Sequence, residues 1–255
     1  MTNQDATIKL NILDWNLHAG VDWFGRFNPQ ELLACLKGFK PDLCGFQEVD
    51  RRWSARSRFW DLAEVLAGRL GMAAAFSPSL TRRGGGSYGN LILSRYPLTR
   101  CWAEPLADSK ESRSLCGAQL IVAGVTLTFI TTHLGLTVGD RCRQAEQIIR
   151  FGSQFATPMI ITGDFNAGPT DRAVQILTGK WRDLQKSSTA TLGGTFLDSN
   201  GQVGLRIDYI LTTPDCSGEQ LKVIPSYCSD HLPLLAKIRL RRWPGSVAGQ
   251  PVFYQ

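Results

Sequence analysis

Short apolar runs that stop abruptly on a polar side chain recur along this 255-residue chain. Met159-Ile160-Ile161-Thr162 stops at Gly163-Asp164-Phe165-Asn166, Leu43-Cys44-Gly45-Phe46 at Gln47-Glu48, and Phe129-Ile130-Thr131-Thr132 at His133. Arg206-Ile207-Asp208-Tyr209 and Ser229-Asp230-His231-Leu232-Pro233 bring acid and imidazole to the borders of further runs. Runs this short suit buried strands rather than helices. A strand that ends on an acid, amide or imidazole presents that group at the edge of a rigid sheet, where clefts form. The donors are oxygens plus histidine, with no clustered cysteine, which points to a hard divalent cation working on phosphate.

The pattern between these borders predicts many strands and few helices. Apolar/polar alternation predicts a strand over residues 8–15, ended by Asn16. Asn28-Pro29-Gln30-Glu31 carries a cap, a first-turn proline and an acid three residues after the cap, so a helix starts there and stops near Gly38 and Pro41. Further helices are expected over 61–70 (closed by Gly71), 140–155 and 170–178. Strands are expected over 43–46, 90–94, 114–122, 125–133, 159–162, 207–212 and 233–240, with Ala123-Gly124 as a hairpin link. Many strands with interleaved helices suggest two sheets packed face to face, helices outside. No linker-like tract divides the chain, so residues 1–255 read as a single domain with a core over about 8–240 and a loosely held tail at 243–255.

Composition narrows the setting. Residues 1–10 contain no apolar signal region, and no apolar run approaches a membrane span. The seven cysteines are an odd number, none spaced C-x-x-C and most within apolar runs. Buried reduced thiols are therefore expected, and with them a cytoplasmic location. The net charge of +6 favours a polyanionic partner, nucleic acid or an anionic phospholipid, and no protein partner is implied.

Two motifs in the glycine loop mislead. Gly84, Gly86 and Gly89 spell G-x-G-x-x-G, but a dinucleotide site needs a strand before it and a helix after, and here a strand and turn follow. Gly85, Ser87 and Gly89 spell G-x-S-x-G, and Asp208 and His231 complete the Ser…Asp…His order of a serine esterase. That alternative lacks the strand–elbow–helix context and leaves Glu48, Asp164, Asn166 and His133 idle. A non-catalytic binding module is a third reading, disfavoured because the acids and histidines are all present.

Taken in order, Asn16, Gln47-Glu48, Tyr88-Gly89-Asn90-Leu91-Ile92-Leu93-Ser94-Arg95, Thr132-His133-Leu134, Gly163-Asp164-Phe165-Asn166, Arg206-Ile207-Asp208-Tyr209 and Ser229-Asp230-His231 resemble the endonuclease/exonuclease/phosphatase superfamily. The resemblance extends from about Leu10 to Leu240. It implies an α/β (α+β) fold: a DNase I-like, four-layer α/β/β/α sandwich of two packed mixed sheets flanked by helices, with the site at one edge. It also implies a Mg²⁺-dependent phosphoester hydrolase, Mn²⁺ being a possible substitute, in which water attacks in line.

In that reading Glu48 binds the metal, with Asn16 and Asp230 completing or supporting its shell. Asp164 orients or deprotonates the attacking water, and Asn166 donates to a phosphate oxygen. His231 lies against the phosphate with its tautomer set by Asp208, and His133 is a second phosphate ligand. Asn90 and Arg113 match lesser positions near the cleft. His18 reads as cleft-side or structural. The run 51–60 interleaves Arg51, Arg52, Arg56 and Arg58 with Trp53, Phe59 and Trp60, which suits either a nucleic-acid backbone or a solvated loop anchored by its aromatics.

Overall fold

A computed structural model describes residues 7–187 and 193–241; the tail expected at 243–255 lies outside them. In chain order the elements are β1 (Ile8–Asn16), α1 (Pro29–Phe39), β2 (Leu43–Arg51), α2 (Leu62–Leu70), β3 (Ala73–Thr81), β4 (Ser87–Ser94), β5 (Leu98–Leu106), β6 (Arg113–Val122), β7 (Val125–His133), α3 (Val138–Gly152), β8 (Met159–Asp164), α4 (Arg172–Lys180), β9 (Arg182–Asp183), β10 (Asp208–Thr212), β11 (Cys216–Val223) and β12 (Leu234–Leu240). The helices start where their caps require. The side chains of Asn28, Asp61, Thr137 and Asp171 accept backbone N–H groups of the first turns of α1, α2, α3 and α4.

Two six-stranded mixed sheets form, in the orders β11-β12-β1-β2-β4-β3 and β5-β6-β7-β8-β10-β9. Their alternating side chains build three cores. Leu10, Ile12, Leu43, Ile92, Phe129, Ile160 and Ile210 fill the space between the sheets. The opposite faces carry Leu13, Trp15, Cys44 and Phe46 against Leu32 and Leu36 of α1 and Leu62 and Leu66 of α2. Ile130, Ile161 and Tyr209 meet Ala145 and Ile148 of α3 and Leu177 of α4. The layers are therefore helix, sheet, sheet, helix, each fully buried large side chain contributing about 1.5–3 kcal/mol.

At Gly45 the two sheets approach each other closely. A Cβ there would sit 2.0 Å from Thr162 Oγ1 and 2.7 Å from Thr131 Oγ1, so no side chain fits. β1 and β2 run parallel, as do β7 and β8. The carboxyl ends of all four therefore open on one edge, joined there by the amino ends of β10 and β12, each antiparallel to its neighbour.

Candidate active site

Following each strand toward that edge, the side chains facing the opposite sheet turn from apolar to polar. On β1 the series is Leu10, Ile12, Asp14, Asn16; on β7 it is Phe129, Thr131, His133; on β8 it is Ile160, Thr162, Asp164. On β10 it is Ile210 then Asp208. Register aligns them, with His133 and Asp208 each paired to Asp164 on either side of β8. β2 differs by a bulge between Phe46 and Val49, where Glu48 takes φ 55°. That left-handed conformation is uncommon for a glutamate and turns its carboxylate into the cleft.

Polar contacts bridge the sheets. His231 Nδ1 meets Asp208 Oδ2 at 2.9 Å and Oδ1 at 3.1 Å, while its Nε2 lies 3.5 Å from Asp164 Oδ2. The Asn16 amide nitrogen donates to Asp164 Oδ2 at 3.0 Å and to Glu48 Oε1 at 3.3 Å. The Gln47 amide donates to Asp14 Oδ1 and Thr131 Oγ1, both at 2.8 Å. The loop bearing His231 is pinned by Trp15 Nε1 donating to the His231 carbonyl and Ser229 Oγ to the Asn16 carbonyl. Thr195 Oγ1 accepts the backbone N–H of Ile207 and of Asp208. Phe196 meets the His231 ring edge-on at 5.1 Å.

A cavity of about 470 Å³ lies over these groups, lined among others by Glu48, His133, Asp164, Asn166, Asp230 and His231. Its charges are strongly biased. Burial opposes a proton on His231, but Asp208 and Asp164 outweigh it and raise the imidazole to about 10, so it is cationic at neutral pH. Burial, with Arg113 alongside, pushes His133 well below its usual value, leaving a neutral ring. Burial raises Asp14, Asp164 and Asp208, which also repel one another. Burial acts against Glu48 too, yet the Arg56 guanidinium and the Asn16 amide help to hold it below the usual glutamate value.

The expected residues converge, with some changes of part. Asn16 turns its amide nitrogen, not its oxygen, toward Glu48 and Asp164; the oxygen accepts the His18 N–H at 3.0 Å. It is a donor that holds two carboxylates, and a donor cannot ligate a cation. The Asn166 amide nitrogen is committed to the Leu134 carbonyl and His133 Nε2, each at 2.9 Å, so it positions His133 instead of reaching a phosphate. Asn90 is also a bridge: its amide donates to the Ser114 carbonyl and hydroxyl, and it is not among the residues lining the cavity. Arg113 does line it, buried and paired to the more exposed Glu111 at 3.2 Å. His18 Nδ1 is 3.7 Å from Asp230 Oδ1 at the rim. In the run 51–60, Arg51 pairs with Asp61, and Arg56 lies 3.5 Å from Glu48 and 3.6 Å from Asp50.

The serine alternative fails on context. Ser87 opens β4 on the far side of a hairpin from β3, with no helix after it, and the group facing His231 Nε2 is the Asp164 carboxylate. Asp14 and Tyr88 went unassigned in the sequence reading. Tyr88 lines the cavity and Asp14 lies fully buried against Asp208 and Asp164. The signal for Asp14 was the two-residue period, which sets it on the face of Ile12 and Asn16.

The donor set suits a hard cation. Glu48 is a carboxylate held below its usual value whose close side-chain partners among the described residues are the Asn16 amide and Arg56 at 3.5 Å, and Asp230 shares its cavity. Ligand atoms of Asp164, Asp208 and His231 also lie within 4.8 Å of one another. There, however, His231 Nδ1 is engaged by Asp208, so this trio reads as an acid–imidazole pair flanked by a carboxylate.

Comparison with other proteins agrees with the architecture. The Escherichia coli K12 protein YbhP is 24% identical over 275 aligned residues, spanning 94% of this chain and all of YbhP. A crystal structure of an endonuclease/exonuclease/phosphatase from Beutenbergia cavernae superposes with TM-score 0.76 at 21% identity, over 91% of this chain and 72% of that one. The Bacteroides thetaiotaomicron mannosyl-6-phosphatase Bt3783 gives 0.73 at 18%, over 90% and 99%. Residues 15–231, nearly the whole stretch holding the polar edge, match the profile of one family, and the chain belongs to it: the Endonuclease/Exonuclease/phosphatase family, whose members are phosphoesterases.

Proposed function

We propose that this chain is a divalent-cation-dependent phosphoester hydrolase, best suited to phosphodiesters, with residues 8–240 acting as one catalytic domain. The observation that carries the reading is the cationic His231 held between Asp208 and Asp164 at the floor of a cavity whose rim bears Glu48 and Asp230. A phosphodiester anion repels nucleophiles, so positive charge must meet the oxygens as the pentavalent transition state forms. His231 supplies one such charge through Nε2, and Arg113, which also lines the cavity, a second. Asp164, beside Nε2, orients the attacking water and takes its proton as the new P–O bond forms and the bond to the leaving oxygen breaks. Asp208 fixes the imidazole tautomer. The neutral His133, held by Asn166, offers its ring to the phosphoryl group without adding charge. Glu48 and Asp230, steadied by Asn16, would hold Mg²⁺ or Mn²⁺, which when bound neutralises phosphoryl charge and the leaving oxyanion.

Among the described residues no helix is long and apolar enough to cross a membrane. All seven cysteines are free thiols, which supports a reducing compartment such as the cytoplasm. Hydrolysis of bis-p-nitrophenyl phosphate, lost in EDTA and restored by Mg²⁺ or Mn²⁺, tests the reading; turnover that ignores EDTA would sink it.

A further inference from the structure

Large apolar side chains on the surface are not spread evenly. Among the described residues nine are exposed, and eight of them lie at the sandwich edge that carries the candidate site, seven on loops and Val138 at the start of α3; Ile121, beside the β6–β7 turn, sits at the opposite end. Exposed apolar residues scattered singly are ordinary, but a collection on one functional edge is not.

The edge has two lobes. Over the second sheet, Leu136 and Val138 follow β7, and Val203 and Leu205 precede β10. Leu136 and Leu205 line the cavity itself while 69% and 70% exposed. Over the first sheet, Phe59 and Trp60 lie exposed on the loop after β2, with Arg58 beside them in sequence and the Arg82 guanidinium 5.1 Å from the Phe59 ring. Arg58, Arg82 and the exposed Arg83 form no ion pair among the described residues. Phe24 and Tyr227, packed with Trp23, add exposed aromatic surface on the loops after β1 and before β12.

The geometry points to an anionic phospholipid surface as what this edge rests on, so that the phosphoester delivered to His231 and Asp164 is a membrane lipid headgroup. The substrate part of this inference rests on the hydrolase reading above. Branched aliphatic side chains at the mouth of a phosphate site gain from acyl and headgroup-boundary contact, and aromatic side chains with unpaired arginines suit the anionic interface. A nucleic-acid strand asks for something else, a continuous basic track with stacking platforms. Here Arg51, Arg52 and Arg56 are turned to carboxylates, and the large apolar side chains that line the cavity while exposed are Leu136 and Leu205, which offer no flat face to a base.

The test uses the full chain carrying His231→Ala, so that binding is read apart from turnover, by cosedimentation and tryptophan fluorescence. Vesicles of phosphatidylcholine mixed with phosphatidylglycerol are compared with phosphatidylcholine vesicles and with a single-stranded oligonucleotide. Partition to the mixed vesicles is expected, weakened about tenfold by Val138→Glu with Val203→Glu, exposed positions where a charge is tolerated, and by Arg82→Glu with Arg83→Glu. Far-UV circular dichroism of each variant excludes unfolding as the cause. Preference for the oligonucleotide, or binding to neither, overturns the inference. With the active chain, headgroup release from mixed vesicles supports the substrate assignment, and vesicle binding without headgroup release overturns it. Failure to hydrolyse the soluble diester overturns the hydrolase reading itself and leaves the docking result standing.

Discussion

His231 Nε2 and Asp164 Oδ2 lie 3.5 Å apart across the gap between two sheets, one on the loop before β12 and the other at the end of β8. Between them they present an imidazole and a carboxylate to the same small volume. His231→Ala and Asp164→Asn are each expected to lower turnover of bis-p-nitrophenyl phosphate by about 10²–10⁴-fold or more, with the far-UV circular dichroism spectrum unchanged. Wild-type turnover in either variant would refute the assignment.

Glu48 faces the cavity and is held there only by the long contacts of the Asn16 amide at 3.3 Å and Arg56 at 3.5 Å among the described residues. Glu48→Gln keeps its shape and removes its charge. The Mg²⁺ concentration giving half-maximal turnover is expected to rise at least about tenfold, and isothermal titration of Mg²⁺ into the protein should weaken in step. An unchanged Mg²⁺ requirement would place the cation elsewhere.

At Gly45 the sheets are too close for any Cβ. Gly45→Val must therefore push them apart, at a cost of about 3 kcal/mol or more. The measurement is the urea midpoint. A shift of only a few tenths of a kilocalorie would mean that the sheets separate freely.

Asp61 caps α2 and forms a two-pronged pair with Arg51. Burial works against its ionisation, and the Arg51 hydrogen bonds, the Glu64 N–H and the charges of Arg51 and Arg52 overcome this, lowering it from 3.8. The folded value lies below the unfolded one. Its stabilisation is thus complete above the unfolded value and lost as pH falls through the folded one. Asp61→Ala should cost about 1–2 kcal/mol at pH 7. The deficit against wild type should narrow on acidification below pH 3.8; a gap independent of pH would discount the carboxylate.

The interior strands were legible in the sequence because both of their faces are covered, which leaves near-continuous apolar runs. β2, β4, β6, β7, β8, β10 and β12 were read from such runs and β1 from its apolar/polar alternation, several with boundaries off by a residue or more. The strands that went unread, β3, β5, β9 and β11, are the four sheet edges. β3 contains Pro78, and β5 contains Glu104, Pro105 and the exposed Arg100. Edges are kept from pairing further by such residues, and these erase the apolar signal. The helices were displaced by a few residues at most, since α3 and α4 begin at the caps Thr137 and Asp171 rather than at Asp140 and Thr170. Within the candidate site, which residues gather at one edge was legible but hydrogen-bond direction was not. That Asn16 and Asn166 spend their amides on protein acceptors follows from three-dimensional neighbours no motif records.

Asn16 with Asp164, His231 with Asp208, Gln47 with Thr131 and Asn90 with Ser114 each join one β-layer to the other. The chemistry is therefore strung across a seam, and the seam's width is set by the packed side chains below it. Trimming Phe129 or Ile12 would alter that width without touching any reacting group. Silent-looking substitutions deep in the interior should accordingly register first as a slower enzyme, before they register as a weaker fold.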